Sequence, residues 1–315
     1  MKKGWTFVIF LFIPALFLYS QIPSDDPIII NQSTLIRVNS GFPEKVAWHQ
    51  NLSQLDFTSH MVDSDLGGLD AVYSADMDGD GDEDLVGAAF LANEIVWWEN
   101  LEVGSGSFYK RTIDGDFYLP DRIHAADLDG DGDMDVLGGS YQGSEVAWWE
   151  NTDADTFAKH LIDGGFTRSV TVLGVDMDSD GDMDVLGASK LANDIVWWEN
   201  DGSQNFSKKM VTGSFSGVNR VYATDVDNDG DIDVVGINSS EIAWWENDGM
   251  QNFAKHTIGQ GLSFGYRVFA ADLDSDGDID VLGGDRYGNE IAWWENDGSQ
   301  NFTKDSLDAD IGWPT

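Results

Sequence analysis

The chain has 315 residues, 42% of them hydrophobic and 13 of them Trp, and a formal net charge of -40. So acidic a composition excludes a phosphate-binding face and calls for a cationic partner, while the aromatic content provides for a packed core rather than a disordered acidic tail. Cysteine is absent, which rules out a disulfide framework, a thiolate metal site, a cysteine nucleophile and a lipoprotein-type start.

Lys2 and Lys3 precede an apolar run from Trp5 to Tyr19, and the small residue Ser20 follows. That order predicts a secretory signal peptide over residues 1–20, because the run is shorter than the roughly 20 residues needed to span a bilayer. The expected location is secreted, cell-surface or periplasmic, with no membrane insertion after cleavage. Residues 21–33 read as a linker.

From about Leu35 onward one period of about 49 residues governs the chain. An acidic motif starts at Asp76, Asp127, Asp176, Asp225 and Asp272. A Trp-Trp-Glu-Asn motif follows in step, within segments that start at Ile95, Val146, Ile195, Ile242 and Ile291. A degenerate copy starts at Val46, with His49 in place of the second Trp. Each period holds four β-like runs and no helical pattern. In one of them the runs are RIHAAD from Arg122, DVLGGS from Asp135, EVAWWEN from Glu145 and FAKHLI from Phe157. Gly, Asn, Asp and Ser clusters separate the runs, as tight antiparallel connections require.

Four strands per repeat of this length predict an all-β fold, a β-propeller of four-stranded antiparallel blades with the acidic loop between first and second strands. Thr34 to Asn51 reads as the second and third strands of an incomplete blade, and Ile311 with Gly312 stands near the start of another. The expectation is therefore five full blades plus partial end blades over residues 34–315, cut from a propeller of roughly six to eight blades that continues past Thr315.

Neighbouring residues of a strand point to opposite faces, so Trp148 and Trp149 project from the two sides of one sheet. In a propeller both sides of a blade are covered, and the pairs are expected to be inter-blade core in preference to a sugar-stacking platform.

The acidic motif itself reads DLDGDGDMD from Asp127. Two carboxylates about 4 Å apart repel by roughly 4 kcal/mol at an effective dielectric of 20, so this spacing needs a cation. Carboxylates stand at loop positions 1, 3, 5, 7 and 9, and position 6 is Gly in all five copies: Gly81, Gly132, Gly181, Gly230 and Gly277. Calcium takes six to eight hard oxygens at about 2.3–2.6 Å, whereas magnesium keeps several waters, so about five calcium ions are expected. Position 12, a bidentate Glu in an EF-hand, is Gly87, Gly138, Gly187, Gly236 or Gly283. The candidate ligands are Asp76, Asp78, Asp80, Asp82 and Asp84 in the first loop, and Asp127, Asp129, Asp131, Asp133 and Asp135 in the second. The third supplies Asp176, Asp178, Asp180, Asp182 and Asp184, the fourth Asp225, Asp227, Asp229, Asp231 and Asp233, and the fifth Asp272, Asp274, Asp276, Asp278 and Asp280. The Asp at position 9 is expected to close the cage, and the one at position 7 to contribute its backbone oxygen.

With these loops followed by LVGAA, VLGGS, VLGAS, VVGIN or VLGGD, the chain resembles the FG-GAP or VCBS-type repeat, the blade also found in the integrin α-subunit propeller. The resemblance covers nearly all of the chain after the leader. Phe264 and Gly265 match the FG element, while Phe117, Phe166 and Phe215 keep only its Phe. The resemblance implies an extracellular calcium-stabilised propeller, and no single activity, since fold does not assign function.

Three functional classes remain: a secreted binding or adhesion module for an extracellular protein or glycan, a polysaccharide-active lyase or hydrolase, and a structural spacer. The binding module is preferred. His60, His160 and His256 share a strand slot filled elsewhere by Lys209, Arg111 and Asp305, which suits surface residues rather than general bases, and no acid/base pair stands out. Singular residues within a repeat are the candidate ligand contacts: Tyr141, Arg168, Arg220, Arg267, Arg286 and Tyr287, with Tyr118 to Arg122, Gln142 and Tyr266 beside them.

Overall fold

The computed structural model describes the backbone of residues 25–31, 34–39, 45–53, 56–64, 66–101, 107–153 and 156–308, with side chains over 61–64, 66–101, 107–152 and 156–307. These residues form two compact units divided between Pro120 and Asp121. The described residues contain 24 strands and no helix, and the strands make six four-stranded antiparallel sheets in simple sequential order. Sheets 1 (Asp25–Asp63) and 2 (Leu69–Asp114) belong to the first unit. Sheets 3 (Pro120–Asp163), 4 (Ser169–Thr212), 5 (Arg220–Gln260) and 6 (Gly265–Asp308) make the second. All-β repeated blades of four strands are thus what the 49-residue period encodes.

Sheet 1 differs from expectation. Asp25–Asn31 is a strand, paired antiparallel with Thr34–Asn39, and it occupies most of the segment read as a linker. The first blade is therefore four-stranded, not partial. Its first strand, DDPIIIN, has a β-branched run suited to a strand, but the sequence carries no acidic motif between it and the second strand at Thr34–Asn39. The signal peptide and the expected partial blade at Ile311 lie outside the described residues, as do the side chains of His49 and His60.

The tryptophan pairs sit where the two-residue strand period puts them. In sheet 4, Trp197 and Trp198 are each 1% exposed. Trp197 packs with Leu186 of its own sheet and with Val221, Val234 and Trp245 of sheet 5. Its neighbour Trp198 packs the other way, with Leu137 and Trp148 of sheet 3. The pairs of sheets 4 and 5 thus each serve two interfaces. The indole Nε1 of Trp198 donates to Asp163 Oδ2 of sheet 3 at 3.3 Å, and that of Trp98 donates to Asp63 Oδ2 of sheet 1 at 3.2 Å. The glycine at loop position 12 makes room for the ring: a Cβ on Gly187 would lie 2.6 Å from Trp198 Cζ3.

The histidine slot has a structural use. His160 pairs across the strands with Trp148, stacks on it with ring centroids 4.6 Å apart, and places Nε2 2.7 Å from Glu150. His256 repeats this on Trp244 and Glu246. Lys209 lies 4.8 Å over the Trp197 ring and 2.6 Å from Glu199, and Arg111 caps Trp97 from 5.1 Å. In sheets 2 to 5 a flat or cationic group thus covers the first tryptophan of the pair while the Glu of the same motif holds it, whereas Asp305 fills the slot opposite Trp293 in sheet 6.

Replacing Trp197 by Ala removes a side chain shared by two sheets and is expected to cost about 3–5 kcal/mol of unfolding free energy, read from urea denaturation. A variant of unchanged stability would show that the ring is not core.

Candidate functional site

Each acidic loop joins the first and second strands of its sheet and turns at position 6, where Gly81, Gly132, Gly181, Gly230 and Gly277 have φ between 92° and 100°. Only glycine adopts that backbone without strain. The turn lets the position 6 N–H return to the first carboxylate, as in Gly81 to Asp76 Oδ2 at 3.0 Å and Gly230 to Asp225 Oδ2 at 2.9 Å. Successive carboxylates also accept N–H groups within the loop, for example Asp82 N to Asp80 Oδ1 at 2.9 Å.

Carboxylates of positions 1, 3 and 5 converge in four loops: Asp76, Asp78 and Asp80; Asp127, Asp129 and Asp131; Asp225, Asp227 and Asp229; Asp272, Asp274 and Asp276. In sheet 4 the group is Asp176, Asp178 and Asp184. In every group one oxygen from each residue lies within 4.8 Å of the others, about twice a calcium–oxygen distance. Asp76 Oδ1, Asp178 Oδ1 and Asp227 Oδ1 are buried with no hydrogen-bond partner, as oxygens reserved for a cation are. Burial first, then neighbouring carboxylates, raises the pKa of Asp78, Asp129, Asp178 and Asp227, although a backbone N–H holds some of them down. The donor set is all hard oxygen and fits calcium.

Position 9 does something the spacing did not disclose. The carboxylates of Asp84, Asp135, Asp184, Asp233 and Asp280 are at most 1% exposed, and each oxygen accepts a backbone N–H. In sheet 4, Oδ2 of Asp184 accepts from Met177 N at 2.9 Å and Oδ1 from Asn200 N at 2.8 Å. The other four loops repeat both bonds, to Met77 and Asn100, Leu128 and Asn151, Val226 and Asn247, and Leu273 and Asn296. Among the described residues Asp184 also joins the convergent carboxylate group of its loop, and position 9 braces the fold in all five loops. Burial pushes Asp84, Asp135, Asp184 and Asp233 up to about 7, against the pull of their two N–H donors. Position 7 is turned to the neighbouring turn: a Cβ on Gly202, Gly249 or Gly298 would meet Oδ2 of Asp182, Asp231 or Asp278 at 2.5 Å.

The singular residues gather at the other end of the sheets: Tyr141, Arg286 and Tyr287 stand on connections between second and third strands and Arg168 on the connection before sheet 4, whereas Arg220 and Arg267 lie near the start of first strands. Arg168 lies 5.0 Å over the Tyr141 ring, and its carbonyl accepts the Lys190 N–H at 3.1 Å. Lys190 in turn lies 5.5 Å over Phe264. Arg267 and Arg286 flank the Tyr266 ring at 5.1 and 5.8 Å, while Tyr287 packs on Phe264 at 5.0 Å. Arg220 and Arg122 share one acceptor, the Val170 carbonyl, at 2.6 and 2.8 Å. All six residues expected to contact a ligand are therefore brought into one network within the second unit. Tyr118 belongs to the first unit. Lys190 escaped sequence reasoning, although it breaks the repeat at the offset from its acidic loop that Tyr141 and Arg286 occupy in theirs.

Acid-loop blades of four sequential strands define a β-propeller protein. The FG-GAP-like repeat family matches residues 76–138, 127–187, 176–236 and 225–283, and the chain belongs to that family. No curated protein matches the chain. Among solved structures, a lectin of Agrocybe aegerita that recognises non-reducing terminal N-acetylglucosamine is 22% identical with a TM-score of 0.64, over 95% of this chain and 81% of the lectin. A streptogramin B lyase is 12% identical with a TM-score of 0.64, over 94% of this chain and 87% of its own. A functionally unknown protein from Desulfotomaculum acetoxidans is 13% identical with a TM-score of 0.63, over 94% of this chain and 86% of its own. These likenesses show the fold.

The buried position 9 carboxyls set the pH response of the metal-free protein. Their folded pKa lies above the ordinary carboxylate value, so the folded state holds more protons, and stability falls as pH rises from about 4 through about 7. In chelator, thermal melts are expected to show a lower melting temperature at pH 8 than at pH 5.5. The opposite slope would mean that these carboxylates are stabilised as anions without metal.

Proposed function

We propose that the protein is a secreted calcium-binding β-propeller that acts as a binding module for an extracellular glycan or protein. The observation that carries this reading is the cluster of singular Arg, Lys and Tyr residues that four sheets deliver to one end of the second unit. Repeated residues account for the scaffold; the departures from repetition converge, and they are of the types that anchor ligands. The Agrocybe lectin supports the glycan arm of the reading only in that the same fold serves sugar recognition there. Among the described residues no helix is long and apolar enough to cross a membrane. The reading is of a binding protein and not an enzyme, because the repeated carboxylates are engaged in loop geometry and His160 and His256 in capping tryptophans.

Calcium fits as the resident ion of the acidic loops. Asp76, Asp78 and Asp80, and their counterparts in the other loops, would hold it. When bound, it supplies the positive charge that lets the crowded carboxylates stay ionised. The chain's own part is to present those oxygens on a glycine turn anchored to the second strand.

A glycan array probed with the full chain is expected to show binding to a restricted set of glycans at 1 mM calcium and weaker binding in chelator. Silence on the array and on extracellular matrix proteins alike would leave the spacer reading.

Metal content tests the calcium assignment separately, with about five ions expected per folded chain. A site with Kd near 10⁻⁴ M contributes about 1.4 kcal/mol at 1 mM calcium, and five contribute about 7 kcal/mol. Chelation at low salt is then expected to lower the melting temperature by more than about ten degrees, and by less at high salt, where residual repulsion is screened. An unchanged melt of protein first shown to be calcium-loaded would refute the assignment.

A further inference from the structure

The chain carries 57 acidic and 17 basic residues, yet six of the 17 meet at one place: Arg122, Arg168, Lys190, Arg220, Arg267 and Arg286. In so acidic a protein a set of this kind needs a reason.

Arg122, Arg220 and Arg267 occupy the same register in the first strands of sheets 3, 5 and 6, five residues before the acidic loop, and Thr171 holds that place in sheet 4. Arg220 is half-buried, and of its five N–H donors one is used, Nη1 to the Val170 carbonyl at 2.6 Å. Burial, then the charges of Arg122 and Arg267, push its pKa down, and these outweigh the opposing effects of Tyr266 and Asp121. Asp121 is itself paired with Arg122 at 3.2 Å. Lys190 has the same character: its Nζ donates to Asn219 Oδ1, it forms no salt bridge among the described residues, and burial with Arg168 and Arg122 pushes its pKa down. Arg220 and Lys190 thus carry partly buried positive charge with no acid bonded to either among the described residues, so the site gains from an anion.

We propose that this end of the second unit binds the carboxylate of an acidic oligosaccharide. The inference rests on the reading of the protein as a binding module. Guanidinium groups match a carboxylate with two parallel N–H bonds, which fixes orientation as well as charge. Aromatic faces complete the requirement. Tyr287 is 66% exposed while its ring is held against Phe264, and Tyr141 is held beneath Arg168. A sugar ring brings an apolar face for such a surface along with its carboxylate. A neutral sugar would leave Arg220 unpaired, and an acidic peptide would have no ring face to lay on Tyr287.

The test is calorimetric titration of the full chain at fixed 1 mM calcium with three probes: a trigalacturonate, its methyl ester and hexaglutamate. The expected result is binding of the trigalacturonate at least tenfold tighter than either of the others, weakening as salt is raised. The double variant Arg168→Gln, Arg286→Gln changes exposed residues, and Arg220→Gln changes the half-buried one. Each is expected to weaken trigalacturonate binding at least tenfold with calcium content unchanged. The exposed pair keeps the test valid should the Arg220 variant misfold. Equal binding of acid and ester would overturn the anionic proposal and leave the binding module standing. Equal binding of hexaglutamate would overturn it in favour of an acidic peptide. Undiminished binding by the double variant would overturn the placement. Failure of all three probes alongside positive array spots would sink this proposal alone, whereas a silent array would remove the reading on which it rests.

Discussion

A carboxylate buried at the first residue of the second strand in sheets 2 to 6 is the contact on which the rest of such a blade depends. Asp184 takes one backbone N–H from its own loop and another from Asn200 on the third strand, and the side chain of Asn200 continues the connection. Its Nδ2 donates to Met183 O at 3.2 Å and to Leu128 O of sheet 3 at 2.9 Å. Asn247 does the same from sheet 5, reaching Met177 O of sheet 4 at 3.3 Å. Loop, strand and neighbouring sheet are therefore tied through one buried acid. An ionised carboxylate so placed is costly unless charge compensation lies close by. Positions 1, 3 and 5 gather oxygens beside it that could hold a cation, and an ion held there would couple the loop to the seating of the blade against its neighbour.

The tryptophan packing answers to the same constraint. Trp197 and Trp198 can both be buried because the sheet has a neighbour on each side within its unit. The burial of Trp198 requires the position 12 glycine, on the strand that the buried Asp begins. A loop that lost its shape would shift this strand and the ring volume set against it, and closely packed interiors do not absorb such shifts.

Much of this was legible in the residues, and the illegible part has physical causes. Period, strand count and the twofold use of the Trp pairs in sheets 4 and 5 follow from spacing and side-chain alternation. Asp at position 9 could not be told from Asp at position 5 by spacing, because an acid that ligates a metal and an acid that accepts two N–H groups have the same letter and the same parity. Only burial separates them: Asp184 is fully covered and Asp180 exposed. The first strand of sheet 1 was missed because Asp25–Asn31 lacks the acidic loop by which the other first strands were found. The breaks in repetition named residues that the structure brings together, but that Arg122 and Arg220 share the Val170 carbonyl depends on how neighbouring sheets are placed, which no local pattern carries.

The two charge populations also need their separation. Turns between first and second strands lie at one end of a sheet, and turns between second and third at the other, so repeated acid and singular base are parted by the length of a strand. Six or seven residues span about 20 Å, beyond the roughly 8 Å over which charges act through physiological salt. An anion near the cationic end is therefore screened from the acidic loops and feels mainly the arginines beside it. At low ionic strength the screening fails and the net charge of -40 opposes the approach of the same anion. Salt then has two opposed effects on such a ligand, easing its approach while weakening its contact with Arg220. Association rate and residence time should consequently move in opposite directions as ionic strength rises, because the first depends on the field of the whole chain and the second on one half-buried guanidinium.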